Sequence, residues 1–288
     1  MEQPITPMLS LLKIRGMLDQ MSVIERKLAE FILDNAHMLR DYSSQQLADA
    51  VGISQSSVVK FCQKLGYKGY PDLKLAINEA VVTASTLNRD QVDKNTDDGS
   101  LLGIGEQLQF SLQQHLQTLL TINDEKTLLQ AARLLEGADL ILLAGFAKSA
   151  IVVADMQFRL LQLGKLALHH ADPALALQLA RSLTDNSVLL LVSDSGQNSD
   201  LLKLEHYAKS RQLKIISMTS YKTNAQNLAA DITLFTLSAE EDIRLNPILT
   251  QLAQQHLCHM LYLQLCQWQN NDRALTESTE LLGLLEKP

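Results

Sequence analysis

Residues 44–68 carry side chains whose chemistry and spacing suit hydrogen bonds to DNA. A glutamine amide can bind adenine through two hydrogen bonds, and a lysine ammonium can donate to guanine in the major groove. Serine hydroxyls and further ammonium groups suit the phosphates, where contacts fix a protein's position without reading sequence. The candidate base contacts are Gln55, Ser56 and Lys60. The candidate phosphate contacts are Ser44, Ser57, Lys64 and Lys68.

Two later segments, rich in small and hydroxyl residues, have the chemistry of an anion site. They are Gly145-Phe-Ala-Lys-Ser149 and Ser193-Asp-Ser-Gly-Gln-Asn-Ser199, and each lies between an apolar run and a helical pattern. Small residues let backbone N–H groups approach an anion, and a helix N-terminus adds positive potential. The candidate ligand-binding residues are Lys148, Ser149, Ser193, Ser195, Gly196 and Asn198. The alternative is that both segments are ordinary capped helix starts without a ligand.

The first set of side chains needs a rigid support, and the pattern over residues 44–66 predicts a helix-turn-helix. Apolar residues recur at helical spacing on one face of each helix. Gly52 lies in the turn, where glycine adopts a positive φ without steric cost, and Ser54 and Gly66 are placed to cap and to end the second helix. The apolar positions are Leu47, Ala48, Val51, Val58, Phe61, Cys62 and Leu65. A helical hairpin without DNA contact is the alternative.

The distribution of charge agrees with a DNA-binding segment. The net charge of the chain is −7, but in residues 1–80 nine basic residues balance nine acidic ones. Residues 54–75 hold four lysines and one aspartate, so the positive charge is concentrated at the predicted reading helix. Affinity for phosphates depends on this local charge rather than on the total.

The order of elements predicts an all-α helix-turn-helix domain followed by an α/β three-layer domain with a parallel sheet. We expect domains at 1–82 and 101–288, because the polar, turn-forming residues 83–100 have the composition of a linker. Short apolar runs then alternate with helical segments, which is typical of a parallel sheet covered on both faces. The predicted strands are Leu140–Gly145, Leu166–His169, Val188–Ser193, Lys214–Thr219 and Ile232–Leu237.

Other sequence signals favour a cytoplasmic protein without a cofactor or metal. The apolar runs are shorter than a membrane span, and no signal peptide precedes the first helix. No Gly-rich dinucleotide fingerprint follows a strand, and there is no Gly-Lys-Ser/Thr phosphate loop. His256, Cys258 and His259 resemble metal ligands, but they do not share one helix face. The broad apolar pattern over 247–265 fits equally a core helix and a subunit interface.

The motifs resemble a known family. Ser193-x-Ser-Gly-x-Asn is similar to the Ser-x-Ser-Gly-x-Thr signature of the sugar isomerase (SIS) domain, and Gly145-x-Ala-x-Ser149 resembles its earlier Gly-x-Gly-x-Ser loop. The N-terminal domain of RpiR-family bacterial transcription regulators is very similar to Ser54-Gln-Ser-Ser-Val-Val-Lys-Phe-Cys-Gln-Lys-Leu-Gly-Tyr-Lys-Gly-Tyr-Pro-Asp-Leu-Lys74. The resemblance covers about Leu9 to Asn270.

The resemblance implies a DNA-binding regulator of carbohydrate metabolism. It implies double-stranded operator DNA as partner, a phosphorylated sugar or amino sugar as effector in the SIS domain, and a homodimer or homotetramer. The chain departs from the pattern at Ala147, where the family has glycine, and at Asn198, where it has threonine. An alanine costs little at 147 if its φ is negative. Asp194 and Asp200 would repel a phosphate unless they point elsewhere.

A phosphosugar isomerase is the alternative function, because SIS domains also occur in enzymes. Isomerisation needs a general base within reach of a carbon-bound proton. Candidate bases are Glu240, Glu241, His169 and His170, although none lies in a motif typical of catalysis. A helix-turn-helix has no use in an isomerase, so the sequence favours the regulator. A turnover assay on sugar phosphates, beside a gel shift on DNA, distinguishes the two.

Overall fold

The computed structural model describes residues 7–92, 100–237 and 244–269. The chain divides into two units, Met1–Gln109 and Phe110–Pro288, and the division falls within one helix. No helix in the described ranges has the length and apolar character needed to cross a membrane. We describe each unit by itself.

The first unit is helical, as predicted. Its helices are α1 (Pro7–Met17), α2 (Val23–Asp34), α3 (Ser44–Val51), α4 (Gln55–Lys64) and α5 (Tyr70–Val92), with 3-10 turns at Leu18–Gln20 and Ala36–Asp41. The seven apolar positions predicted for the helix-turn-helix are all buried, together with residues from α1, α2 and α5. The core of this unit therefore fixes α3 and α4 against the other helices.

The fifth helix extends beyond its predicted end. We expected it to stop near Val82, with an irregular linker over 83–100, but α5 continues to Val92. Residues 83–92 contain neither proline nor glycine, so their polar composition is compatible with a helix. The division at 1–82, 83–100 and 101–288 stays a proposal, since part of the expected linker is helical and 93–99 lie outside the described residues.

The second unit is built on a parallel sheet. Within the described residues, five strands lie in the order β2-β1-β3-β4-β5. They are β1 (Leu140–Ala144), β2 (Ala167–His169), β3 (Ser187–Val192), β4 (Lys214–Ser220) and β5 (Ile232–Thr236). Each begins and ends within one residue of its prediction. The helices are α6 (Leu101–Ile122), α7 (Glu125–Gly137), α8 (Lys148–Gln162), α9 (Pro173–Leu179), α10 (Ser199–Ser210), α11 (Ala225–Ala229) and α12 (Leu245–Gln269), with a 3-10 turn at Ala180–Ser182.

Helices cover both faces of the sheet, which confirms the three-layer α/β architecture. Successive strand residues point to opposite faces. On one face Ile141, Leu143 and their equivalents pack with α7, α8 and α12, and on the other Leu140 and Leu142 pack with α9 and α10. Both faces of the central strands are therefore buried, which explains their continuous apolar sequences.

The last described helix belongs mainly to this core. The sequence left its apolar pattern equally compatible with a core and with a subunit interface. In α12, Leu249, Ala253, Leu257, Leu261 and Leu265 are all buried within their own unit, whereas Leu263 is 59% exposed. Most of that pattern therefore reflects packing within the core of this unit, chiefly against α7 and α8.

Candidate functional sites

Two glycines set the angle and length of α4. Gly52 has φ +72°, and its neighbours close the end of α3, with Ile53 N–H donating to Ala48 O at 2.9 Å. Gly66 has φ +85° and ends α4 in the same way. The Ser54 hydroxyl accepts from the Ser57 N–H at 3.2 Å and caps the start of α4. The predicted turn, cap and helix end are therefore confirmed.

One face of α4 points to solvent and carries hydrogen-bonding groups. Val58, Phe61 and Cys62 fill the core, so the opposite face is free. That face exposes Gln55, Ser56, Val59, Lys60 and Gln63. Sequence reasoning missed Val59 and Gln63, although both lie three residues from predicted contacts and so on the same helical face.

Gln55 and Ser44 lie at the same edge of this surface. The Gln55 Nε2 donates to the Ser44 hydroxyl at 2.7 Å, which links the first residues of α3 and α4. The side chain predicted to contact a base is thus held by the side chain predicted to contact a phosphate. This bond restricts the rotamers available to the Gln55 side chain.

The basic residues of the helix-turn-helix differ in their pairing. Lys64 lies 2.8 Å from the carboxylate of Glu25 in α2, with both side chains partly exposed. The ammonium of Lys64, helped by the Ser22 N–H, holds the pKa of Glu25 below its ordinary value. Lys60 is exposed and makes no ion pair with any residue that the structure describes, and Lys68 is exposed in the segment before α5. Among these lysines, Lys64 thus has a second role, because its ion pair with Glu25 joins α4 to α2.

In the second unit, the predicted loops follow neighbouring strands at one edge of the sheet, where a crevice is expected between them. The sheet order places β1 beside β3, and the chain leaves them for α8 and α10, which cover opposite faces. In such parallel sheets, ligands bind outside the carboxyl ends of the strands where this reversal occurs. Residues 145–149 and 193–199 are those two carboxyl-end segments.

The first segment is shaped by close backbone approach. A Cβ on Gly145 would lie 2.9 Å from the carbonyl oxygen of Ser149, so this residue must be glycine for α8 to sit on β1. Ala147 has φ +53° and ψ −122°, so the condition under which an alanine costs little at this position is not met. Of the described residues, none provides a side-chain cap for the first turn of α8, where Ser149 is buried.

The second segment is a tight loop held by its own hydroxyls. The buried Ser193 Oγ accepts from the Gly196 N–H, and the exposed Ser195 Oγ accepts from the Gln197 N–H, both at 3.2 Å. Because each oxygen accepts, each hydroxyl hydrogen can donate to a ligand. Gly196 has φ +64° and packs so closely on Asn224 that a Cβ would lie 2.2 Å from its side chain.

Asn198 has a structural role that the sequence left open. Its Oδ1 accepts from the Asp200 and Leu201 N–H groups at 3.0 Å and caps α10. α10 therefore begins at a side-chain cap, and the amide Nδ2 is what Asn198 can offer a ligand. The Asp200 carboxylate pairs with Lys203 of the same helix at 2.8 Å.

An ion pair joins the two segments across the crevice. Lys148 Nζ lies 2.8 Å from Asp194 Oδ2, and the side chains are 40% and 23% exposed. Asp194 therefore neutralises the lysine that we predicted to attract an anion. Sequence reasoning found both residues but not their pairing.

Among the residues that the structure describes, the remaining candidate groups do not come together in a second centre. His169 Nδ1 lies 3.2 Å from the Leu143 carbonyl, and burial lowers its pKa. His170 accepts from the Asp172 N–H at 2.9 Å. His259 lies 2.8 Å from Asp155, which also pairs with Arg159. The other candidate bases, Glu240 and Glu241, lie outside the described residues.

Known families match both parts of the chain. Residues 8–84 match the helix-turn-helix domain of the rpiR family, and residues 134–264 match the SIS domain. The chain is 31% identical over 262 residues to the uncharacterized HTH-type transcriptional regulator YfhH of Escherichia coli (strain K12). That similarity covers 89% of this chain and 92% of the relative.

Solved structures share the fold at lower sequence identity. The Vibrio vulnificus NanR protein complexed with ManNAc-6P has a TM-score of 0.61 and 22% identity, over 97% of this chain and 100% of that one. The sugar isomerase domain of the RpiR transcription factor from Sphaerobacter thermophilus has a TM-score of 0.54 and 14% identity, over 62% of this chain and 97% of that one. At these identities the likeness concerns the fold.

Proposed function

Because the chain belongs to the rpiR family of helix-turn-helix transcriptional regulators and carries an SIS domain, we propose that it senses a phosphorylated sugar. The effector binds in the second unit and changes the affinity of the first for operator DNA. One observation carries this proposal. Two serine-bearing segments end neighbouring strands of a parallel sheet at the point where the connecting helices diverge. The solved NanR protein, which is complexed with ManNAc-6P, supports an amino-sugar phosphate as one candidate.

In this proposal, α4 enters the major groove and reads bases through its exposed face. Gln55, Ser56 and Lys60 contact base edges, and Val59 and Gln63 lie beside them on the same surface. The DNA phosphates are contacted by Ser44, Ser57, Lys64 and Lys68. Since Lys64 is paired with Glu25, it contributes less to phosphate binding than an unpaired lysine would.

The effector phosphate lies between the first turn of α8 and the loop after β3. The N–H of Lys148 at the start of α8 and the hydroxyls of Ser149, Ser193 and Ser195 donate to its oxygens. The next two N–H groups of α8 already donate to the carbonyls of Phe146 and Ala147. Gly196 lets the backbone approach, and Lys148 and the Asn198 amide complete the set. The sugar then extends past Asp194.

We further propose that the protein acts as a homodimer or larger assembly, because one reading helix covers only a few base pairs. The second unit offers a described surface for this. Ile151, Phe158 and Leu161 recur at helical spacing on α8 and are each about half exposed. Sedimentation at micromolar concentration tests this, and a monomer with and without DNA would contradict it.

DNA binding is tested with Lys60→Ala on a duplex selected by the parent protein from a random library. Loss of one base contact should cost about 1–3 kcal/mol on that duplex and much less on unrelated DNA. Lys126→Ala is the control, because it removes the same charge from an exposed site in α7. Parent-like binding by Lys60→Ala would show that α4 is not the reader.

Effector binding is tested by calorimetry with hexose, pentose and amino-sugar phosphates and their unphosphorylated forms. Ser195→Ala removes one donor to a charged phosphate, so affinity should fall about 10- to 150-fold. Ser210→Ala, at the end of α10, is the matched control. Equal binding of a free sugar and its phosphate would refute the anion site.

A further inference from the structure

The ion pair between Lys148 and Asp194 occupies the place proposed for the effector. Asp194 directly follows Ser193 at the end of β3, and Lys148 opens α8 after β1, so the 2.8 Å contact spans the crevice. The pair is partly exposed, with 40% of the lysine and 23% of the aspartate side chain accessible. A ligand arriving from solvent therefore meets a neutral pair rather than a free ammonium.

This pairing imposes a chemical requirement on the ligand. A phosphate that takes Lys148 leaves the Asp194 carboxylate beside a dianion, which is unfavourable at short range. The cost is removed only if the ligand itself donates hydrogen bonds to that carboxylate. A hydroxyl or ammonium group next to the phosphate meets this need, whereas inorganic phosphate brings mainly acceptors.

From this geometry we propose that Asp194 is a specificity-determining residue that withholds Lys148 from simple anions. It admits phosphate esters whose carbon skeleton carries hydroxyl or amino donors for its carboxylate. The inference rests on the proposed function, since it assumes that the effector phosphate lies between the two segments.

The backbone, rather than the Asp194 side chain, holds the loop in place. The Asp194 carbonyl accepts from the Ser220 N–H at 3.2 Å and from the Thr219 hydroxyl at 3.4 Å. Ser193 and Gly196 close the loop independently. Asp194→Asn should therefore leave the loop intact while it removes the negative charge.

The test is calorimetry of the full chain with inorganic phosphate, glucose 6-phosphate, glucosamine 6-phosphate and N-acetylmannosamine 6-phosphate. Asp194→Asn should bind inorganic phosphate at least about tenfold more tightly than the parent, and lose preference for sugar phosphates by a similar factor. Asp200→Asn is the matched control, because it makes the same charge change six residues after Asp194, at a carboxylate that pairs with Lys203. Its affinity for inorganic phosphate should stay within about twofold of the parent, since exposed charges are screened.

The outcomes separate this inference from the proposed function. If the parent binds sugar phosphates and Asp194→Asn binds inorganic phosphate no better, the inference is wrong and the proposed function stands. An equal gain in affinity for inorganic phosphate in Asp200→Asn also overturns the inference, because the change in overall charge then explains the result. If neither the parent nor Asp194→Asn binds any sugar phosphate, the proposed function fails and the inference fails with it.

Discussion

Ala147→Gly should stabilise the protein, although glycine usually weakens one. Ala147 has φ +53°, in the region that favours glycine, and a non-glycine residue held there costs about 1–3 kcal/mol. Glycine removes that strain but adds about 0.4–1 kcal/mol of unfolded-state entropy. The expected gain in the free energy of unfolding is therefore about 0.5–2 kcal/mol.

Ala154→Gly is the matched control, because the same substitution should lower the free energy of unfolding at that position. Ala154 is exposed within α8, where a glycine costs about 1 kcal/mol of helix stability. Thermal unfolding of the full chain should show the transition of Ala147→Gly shifted up and that of Ala154→Gly shifted down. Each kcal/mol corresponds to about 2–4 °C for a unit of this size. A decrease for both variants would refute the assignment of strain to Ala147.

Three further predictions follow from exposed and buried groups. Val59→Ala should weaken a preference for thymine at one operator position, because the larger exposed apolar side chain on α4 makes more contact with the thymine methyl than alanine does. Replacing that thymine by deoxyuridine should weaken binding of the parent more than binding of the variant, and equal weakening of both would contradict the contact. Burial raises the pKa of Glu205 to about 7 from an ordinary 4.5, so its ionisation destabilises the fold as pH rises between these values. Glu205→Gln should therefore be more stable than the parent at pH 8, by up to about 3 kcal/mol, and a gain that persists at pH 4 would contradict this cause. Gly196→Ala should disrupt the loop and abolish effector binding, because its Cβ would lie 2.2 Å from Asn224, and calorimetry showing parent-like affinity would contradict the tight packing.

Local signals made much of this fold predictable from the sequence. The turn at Gly52, the cap at Ser54 and the apolar faces of α3 and α4 depend on neighbours within a few residues, and the structure confirms them. The strands were predictable because both faces of a parallel sheet are buried, which leaves continuous apolar runs. The end of α5 could not be predicted, because polar residues without proline or glycine fit either a helix or a linker.

The candidate sites were predictable in their residues but less so in their contacts. The pairing of Lys148 with Asp194 joins positions 46 residues apart, and only the sheet order brings them together. The positive φ of Ala147 depends on how α8 meets β1, which no local pattern specifies. Val59 could have been found, since its spacing from Ser56 places it on the same face of α4.

The most direct test of the account measures operator binding by the full chain while a sugar phosphate is titrated. Fluorescence anisotropy of the selected duplex gives the DNA affinity at each effector concentration. The account predicts that at least one sugar phosphate changes this affinity about 5- to 150-fold, the range typical of coupled sites. Ser195→Ala should keep the effector-free DNA affinity and require much more of that compound for the same change. An unchanged DNA affinity at saturating concentrations of a sugar phosphate that calorimetry shows to bind would contradict the central claim.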